Sequence, residues 1–219
     1  MADDLYGEQH RALQDTFGTR KLADRLAYRR SGALSDDDRS FIAGLDMFFL
    51  STVDHQGRPT VSYKGGDPGF VHTPDPTTLL FPSYDGNGMF LSLGNLTVHP
   101  DVGLLFISFE KPNRLRVQGR AELSSDPSEL RLFPEADTVI RVHITHAFTN
   151  CPRYVHRYQP VERSRYVPRD GVETPIAEWK RISGIVDALP PVDAARVAHI
   201  GTIDGAEWIK RVRAGDPRT

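Results

Sequence analysis

Between Met47 and Thr149 the chain carries six short segments with the apolar texture of β-strands, joined by turn residues rather than by regularly interleaved helices. They are "MFFLSTVD" (47–54), "TVSYKGG" (60–66), "TTLLFPS" (77–83), "DVGLLFISF" (101–109), "NRLRVQGRAEL" (113–123) and "DTVIRVHITHAFT" (137–149). Parallel strands need long crossovers, usually helical, so these mostly tight connections point to an antiparallel, barrel-like sheet and away from a doubly wound fold. The turn "DHQGRP" makes a hairpin of the first two segments. In the last, Val139, Arg141 and His143 alternate with Ile140, Val142 and Ile144, which predicts one face for each trio.

Helical texture is confined to the flanks. Leu13 with Phe17, and Leu22 with Leu26, stand four apart, separated by a break at Gly18, which predicts one or two amphipathic helices over 3–29. Ser35 followed by three aspartates is a helix start: a capping oxygen, then negative charge at the positive end of the dipole. "PSELRLF" suggests one helical turn. A further helix is predicted over 175–187, around Trp179, and Pro190-Pro191 must interrupt any helix beyond it. The expected organisation is a helical extension over 1–46, a β domain over 47–160 and a second helical extension over 161–219.

Composition narrows the function. The 219 residues carry 27 basic and 29 acidic side chains, a net charge of −2, so no global positive field favours nucleic acid as a partner. No apolar run is long enough for a membrane span, and "MADDLYGEQH" lacks the pattern of a signal peptide, so a cytoplasmic protein is expected. With Cys151 as the one cysteine there is no intrachain disulfide and no cysteine-based zinc site. That thiol is either activated by nearby Arg153 or buried and inert. His143 and His146, three apart in a strand, are expected on opposite faces, a poor metal pair; no metal site is read, and no G-x-S-x-G elbow is present.

The stretch "GNGMFLSLGNLTVHP" (86–100) reads as a turn through Asp85, Gly86 and Asn87 followed by a short helix ending near Val98. Gly86 and Gly88 allow a sharp turn and close approach of a ligand, and Asn87 is the expected cap. A helix start there would attract an anion such as a phosphate, or it is only a capped connector. Arg114 and Arg116 share a strand face, either an anion-lining wall or ordinary wet-face arginines. Asn95 reads as a polar residue near the helix end, or as a contact to a ring carbonyl.

The succession "RPTVSYKGG", "TTLLFPSYDGNGMFLSLGNLTVHPDVGLLFISF" and "NRLRVQGRAEL" resembles the pyridoxamine 5'-phosphate oxidase-like, FMN-binding split-barrel superfamily, over roughly residues 42–160. It is similar, more narrowly, to a branch whose members also carry a segment like "FTNCPRYVHRY". The resemblance implies a mainly β fold, a six-stranded split β-barrel with N-terminal and C-terminal helical additions. It implies a homodimer with the cofactor at the interface and the C-terminal extension packed on the barrel or on the partner. The cofactor implied is FMN. Val61 stands at the family's apolar strand position, Lys64 at a lysine reaching toward cofactor or substrate, and Asp85 with Gly86 at the next contact pair. Where the family grips the phosphate with an arginine and a lysine, this chain has Leu91 and Ser92; where a glutamine touches the ring, it has Arg114. Arg58 or Arg116 could replace the missing charges, the C-terminal arginines could reach across a dimer, or Ser92 and the helix amides could act alone.

The function expected is therefore an FMN-dependent oxidoreductase, oxidase or reductase, of a small-molecule substrate, with hydride transfer through flavin N5. The alternatives are a deazaflavin-dependent reductase and a non-catalytic flavin- or haem-binding protein.

Overall fold

Seven segments, not six, pair into one antiparallel sheet in this computed structural model, which describes residues 5–27 and 30–219. The strands are β1 (Met47–Val53), β2 (Pro59–Gly65), β3 (His72–Asp75), β4 (Thr78–Ser83), β5 (Asp101–Ser108), β6 (Asn113–Ser124) and β7 (Thr138–Asn150), in the order β2-β1-β5-β6-β7-β4-β3. The added strand, β3, leaves no strand signal in the sequence because it is four residues long and contains Pro74. Proline removes a ladder donor, and here it lies on a strand with a single neighbour, where that loss is tolerated.

The α-helices of the described residues are α1 (Glu8–Thr16), α2 (Arg20–Ala27), α3 (Asp36–Ala43), α4 (Leu91–Val98), α5 (Pro127–Leu130), α6 (Pro191–Ile200) and α7 (Gly205–Arg213). The N-terminal pattern resolves into two helices broken at Gly18, whose φ of +65° suits glycine. The helix start at Ser35 is a reciprocal capping box: Ser35 Oγ accepts from the Asp38 amide at 3.1 Å, and the Asp38 carboxylate accepts from the Ser35 amide at 3.0 Å. Among the described residues no helix is long and apolar enough to cross a membrane.

The chain divides into two compact units, Met1–Gln159 and Pro160–Thr219. In the first, the inward members of each strand form the core. Phe48 lies 5.0 Å from both Phe81 and Phe106, ring to ring, and Leu50, Leu79, Leu115 and Val117 close around them. Each such side chain contributes roughly 1.5–3 kcal/mol by leaving water. In the second unit, the helix expected over 175–187 is replaced by two short 3-10 turns, Glu178–Arg181 and Val186–Ala188. Gly184 between them lowers helical propensity, and Lys180 turns inward to an ion pair with Asp193 at 2.8 Å. Pro191 opens α6 at a position where the missing amide costs nothing.

The alternation expected along β7 is interrupted. Gln118 pairs with His146 but Gly119 pairs with Ile144, so Thr145 is an extra residue, a β-bulge. Beyond it the parity inverts: Ile144 and Ala147, three apart, are both buried. His143 and His146, expected on opposite faces, lie opposite Arg120 and Gln118 and so share the outer face. Val139 shares the face of Arg141 and His143, as its spacing predicts, and is buried there in a second small core with Leu80 and Phe133. Gly119 is the residue that lets the bulge close, because a Cβ there would meet His143 O at 2.5 Å and Val142 Cγ1 at 2.7 Å. Gly119→Ala is expected to destabilise the protein by about 1–3 kcal/mol in urea unfolding. Gly103→Ala, whose Cβ would stand 3.7 Å from that of Ser51, should cost clearly less.

Candidate functional site

β2 stands at one end of the sheet and pairs only with β1. Thr60, Ser62 and Lys64 lie on the side facing α4, and Val61 and Tyr63 on the opposite, exposed side. Two polar contacts seat α4 on this hairpin. Asn95, 8% exposed, donates its amide to Thr52 Oγ1 at 2.9 Å and to Thr60 Oγ1 at 3.2 Å. One turn earlier in the helix, Ser92 Oγ and Ser62 Oγ stand 3.2 Å apart. Lys64 lies two residues further along the same face of β2. Lys64 is half-buried, and among the described residues its ammonium has no acidic or hydrogen-bonding partner. Burial alone holds its pKa below the usual lysine value.

The turn differs from its expected form. Asn87 does not cap α4; its side-chain oxygen accepts from the Met89 amide at 3.0 Å, which tightens the turn itself. The residue at the cap is Phe90, in the left-handed region with φ 47° and ψ 28° and no side-chain cap. For a bulky side chain that conformation costs about 1–2 kcal/mol. Gly88, at φ +74°, supplies the other left-handed residue, and around Gly86 a Cβ would meet nothing within 4 Å. The first intrahelical bond runs from Gly94 N–H to Phe90 O, so the amides of Leu91, Ser92 and Leu93 are left for another acceptor. Met89, Phe90 and Leu91 are each more than 60% exposed, a cluster of apolar side chains at the mouth of this turn.

The residues singled out in the sequence therefore sort into three groups. Ser92 and Asn95 lie on the side of α4 that meets the β1–β2 hairpin, Lys64 shares the β2 face of Ser62, Asp85, Gly86 and Asn87 lie in the turn before the helix, and Leu91 is its first residue. Val61, Arg114 and Arg116 lie on the outer face of the sheet. Arg58 belongs to neither: at the hairpin turn it binds the Asp54 carboxylate through Nε and Nη2, both at 2.8 Å. Asp54 also accepts from the Arg58 and Gln56 amides, and these bonds, the Arg58 amide first, pull its pKa from 3.8 to about 2.

On the outer face lies a groove of about 330 Å³, lined by Phe49, Val61, Leu105, Arg116, Gln118 and Phe148 among others. Sequence reading missed all of these but Val61 and Arg116. Their signal is present as the outward members of period-two strands, yet only the strand order assembles them. Arg114 turns its Nε to the Cys151 carbonyl at 3.1 Å. Cys151 itself is exposed, and the Arg153 amide on its sulfur, with the Arg153 and Arg114 charges, lowers its pKa. Among the described residues no group of three or more His, Cys, Asp or Glu is arranged to hold a metal ion.

A family model described as pyridoxamine 5'-phosphate oxidase matches residues 34–151. Among solved structures, HupZ of Group A Streptococcus is 14% identical, with 57% of this chain and 99% of that one covered at a TM-score of 0.45. A Clostridium acetobutylicum protein related to general stress protein 26 is 13% identical, covering 52% of this chain and 85% of that one at a TM-score of 0.41. An FMN-binding protein from Syntrophomonas wolfei is 14% identical, covering 64% and 97% at a TM-score of 0.38. No curated protein matches the chain.

Two outcomes check this arrangement. Asn95→Ala is expected to lower stability by about 1–3 kcal/mol in chemical unfolding, since it removes both hydrogen bonds that tie α4 to the Thr52–Thr60 hydroxyl pair. A change within 0.5 kcal/mol would mean that another contact seats the helix. Asp54 has a depressed carboxyl, so its contribution to stability is complete above pH 3.8 and is lost as pH falls through about 2. Asp54→Asn should therefore flatten the acid limb of the stability profile in that window and leave the alkaline limb unchanged.

Proposed function

The chain belongs to the pyridoxamine 5'-phosphate oxidase family, and from that premise we propose that it is an FMN-dependent oxidoreductase acting on a small molecule in the cytoplasm. In this reading the seven-stranded sheet is the family's split barrel, and two copies associate around the cofactors. One observation carries the proposal. The Ser62–Ser92 contact brings β2 against the first turn of α4, whose leading amides carry no side-chain cap, and Lys64, two residues further along the same face of β2, is half-buried with no partner among the described residues.

The residues present suit the phosphate end of FMN. Lys64 supplies the charge, the amides of Leu91 and Ser92 supply donors, and the Ser92 hydroxyl adds another. The family's basic pair at 91–92 is thus replaced by backbone donors and one lysine from the neighbouring strand. The backbone of the Asp85–Asn87 turn borders the same space, and Val61 offers an apolar contact around the strand edge. Asn95 serves by holding the helix, not by touching the cofactor. Arg58, committed to Asp54, takes no part. Met89, Phe90 and Leu91 form the apolar surface that a second copy would cover.

Bound FMN supplies hydride transfer through N5. The chain positions the ring and neutralises its phosphate, and Lys64 couples this to pH: an anion beside the ammonium raises its pKa, so binding weakens as alkaline pH discharges the free protein's lysine.

Fluorescence titration of apoprotein with FMN tests the site. Loss of one charge-assisted contact is roughly 1.5–3 kcal/mol, so Lys64→Ala should weaken binding about 10- to 150-fold, while Arg58→Ala changes it less than about twofold. An unaltered Kd in the Lys64 variant, or a protein that takes deazaflavin or haem and refuses FMN, would reject this reading.

A further inference from the structure

Resting on that reading's pairing of two copies, we propose that the α1–α2 hairpin is an arm that lays its apolar side on the second copy and extends the contact between them. The two helices precede residues 34–151, and the family likeness gives no account of them. Leu13 and Phe17 are four apart on one face of α1, and Leu22 and Leu26 four apart on one face of α2. In the protomer these faces stay in water: the four side chains are 59%, 74%, 57% and 46% exposed, and no described residue of either helix is buried.

What joins the helices to each other is polar. Arg11 Nη1 reaches the Asp24 carboxylate at 2.6 Å, Arg20 grips the Asp15 carboxylate, and Tyr6 Oη donates to the Ala23 carbonyl at 3.2 Å. Ion pairs at a surface contribute little, and helices of nine and eight residues are too short to persist in water on propensity alone. A folded hairpin therefore requires a surface for its apolar side.

The position of its tether names that surface. Beyond α2 the chain joins the sheet at Ser31, whose amide and carbonyl exchange bonds with Ala147 of β7 at 3.0 and 2.7 Å. Beside it, Arg30 Nη2 donates to Gln118 Oε1 of β6 at 3.3 Å. Gln118, and Phe148 next to Ala147, lie on the outer face with Phe49, Val61 and Leu105. Two copies associating around the cofactors bury that face, so the arm is rooted at the rim of their contact. Four apolar side chains are too few for an interface of their own, which takes about 20–30 residues a side, and suit the extension of a larger one. In a two-fold dimer both copies use the same patch, so the arm's contribution is made twice. A membrane surface fits less well. Residues 5–27 hold four basic and three acidic side chains, and two of each are committed to the ion pairs above, which leaves no basic face for anionic lipid.

Hydrogen exchange read by mass spectrometry on the full-length protein tests the arm, at concentrations above and below the dimer Kd fixed by analytical ultracentrifugation. Amides of residues 8–27 are expected to be protected in the dimer and to lose that protection at least about tenfold on dilution, while those of β6 and β7 keep theirs. Phe17→Ser should weaken dimerisation at least about tenfold, because each copy loses a buried aromatic ring, whereas Lys21→Ser in the same hairpin should change it less than about twofold. Protection that ignores dilution would mean that the protomer covers its own helices, and absence of protection at every concentration that nothing does. Protection that appears only with anionic vesicles would give the face to a membrane. Each of these overturns the proposal, as does a Phe17→Ser protein that dimerises like the parent, or a parent that is monomeric throughout. No flavin enters this readout. A dilution-dependent arm on a protein that binds no FMN upholds the proposal while the flavin reading falls, and FMN binding by a protein whose helices stay unprotected does the reverse.

Discussion

Asn95 reaches from the middle of α4 into a buried pocket and gives its amide hydrogens to Thr52 and Thr60, one on each strand of the first hairpin. Thr52 is 1% exposed and its hydroxyl also lies 2.8 Å from that of Thr60, so the three side chains satisfy one another in a place where water does not reach. A buried polar triad of this kind specifies position: sliding α4 by a single turn would leave the Asn95 amide in apolar surroundings without its two acceptors, at a cost of about 1–3 kcal/mol. The helix is only eight residues long and its own apolar stripe is weak. Leu96 and Leu93 pack the helix on the core, the hydrogen bonds fix where along the hairpin it sits, and everything at its N-terminal end inherits that position.

The strained turn follows from this anchoring. A helix held at its centre by Asn95 and at its first turn by Ser92 leaves Gly86–Phe90 to span a fixed gap from the end of β4. Phe90 accepts a left-handed backbone, and Asn87 bends the turn with its own side chain rather than capping the helix. Local strain persists where surrounding contacts over-determine the chain, and here those contacts are the two polar bridges to β1 and β2. One consequence is that three large apolar residues, Met89, Phe90 and Leu91, face outward together. No local interaction calls for that exposure, and a covering partner surface would explain it.

The sheet was largely legible in the residues, and the exceptions have physical causes. Six strands fall within a residue or two of where their alternation puts them, because a half-buried strand writes a period of two directly into its sequence. β3 escaped since four residues with a proline leave no period to read. The bulge at Thr145 escaped for a different reason: an extra residue in β7 exists only relative to its partner β6, and pairing register is not a local property. The failed helix at 175–187 was judged on composition, which cannot register that Lys180 is drawn inward to Asp193. For the candidate site, Lys64, Ser92 and the glycine turn were singled out through the likeness of three motifs to a family, and of these the register of β2 on α4 shows directly only the Ser62–Ser92 contact. The groove stayed hidden, since its lining is spread over β1, β2, β5, β6 and β7, brought together by a neighbour order that the chain's sequence does not display.

Position at the sheet edge is what makes the two faces of β2 available at once. In an interior strand, neighbours on both sides wall off one face from the other, so a ligand can use the inner or the outer side chains but not both. β2 has a partner on one side only, and its free edge carries unpaired backbone donors and acceptors between Lys64 and Ser62 on one face and Val61 and Tyr63 on the other. Such an edge invites pairing with another strand unless something covers it.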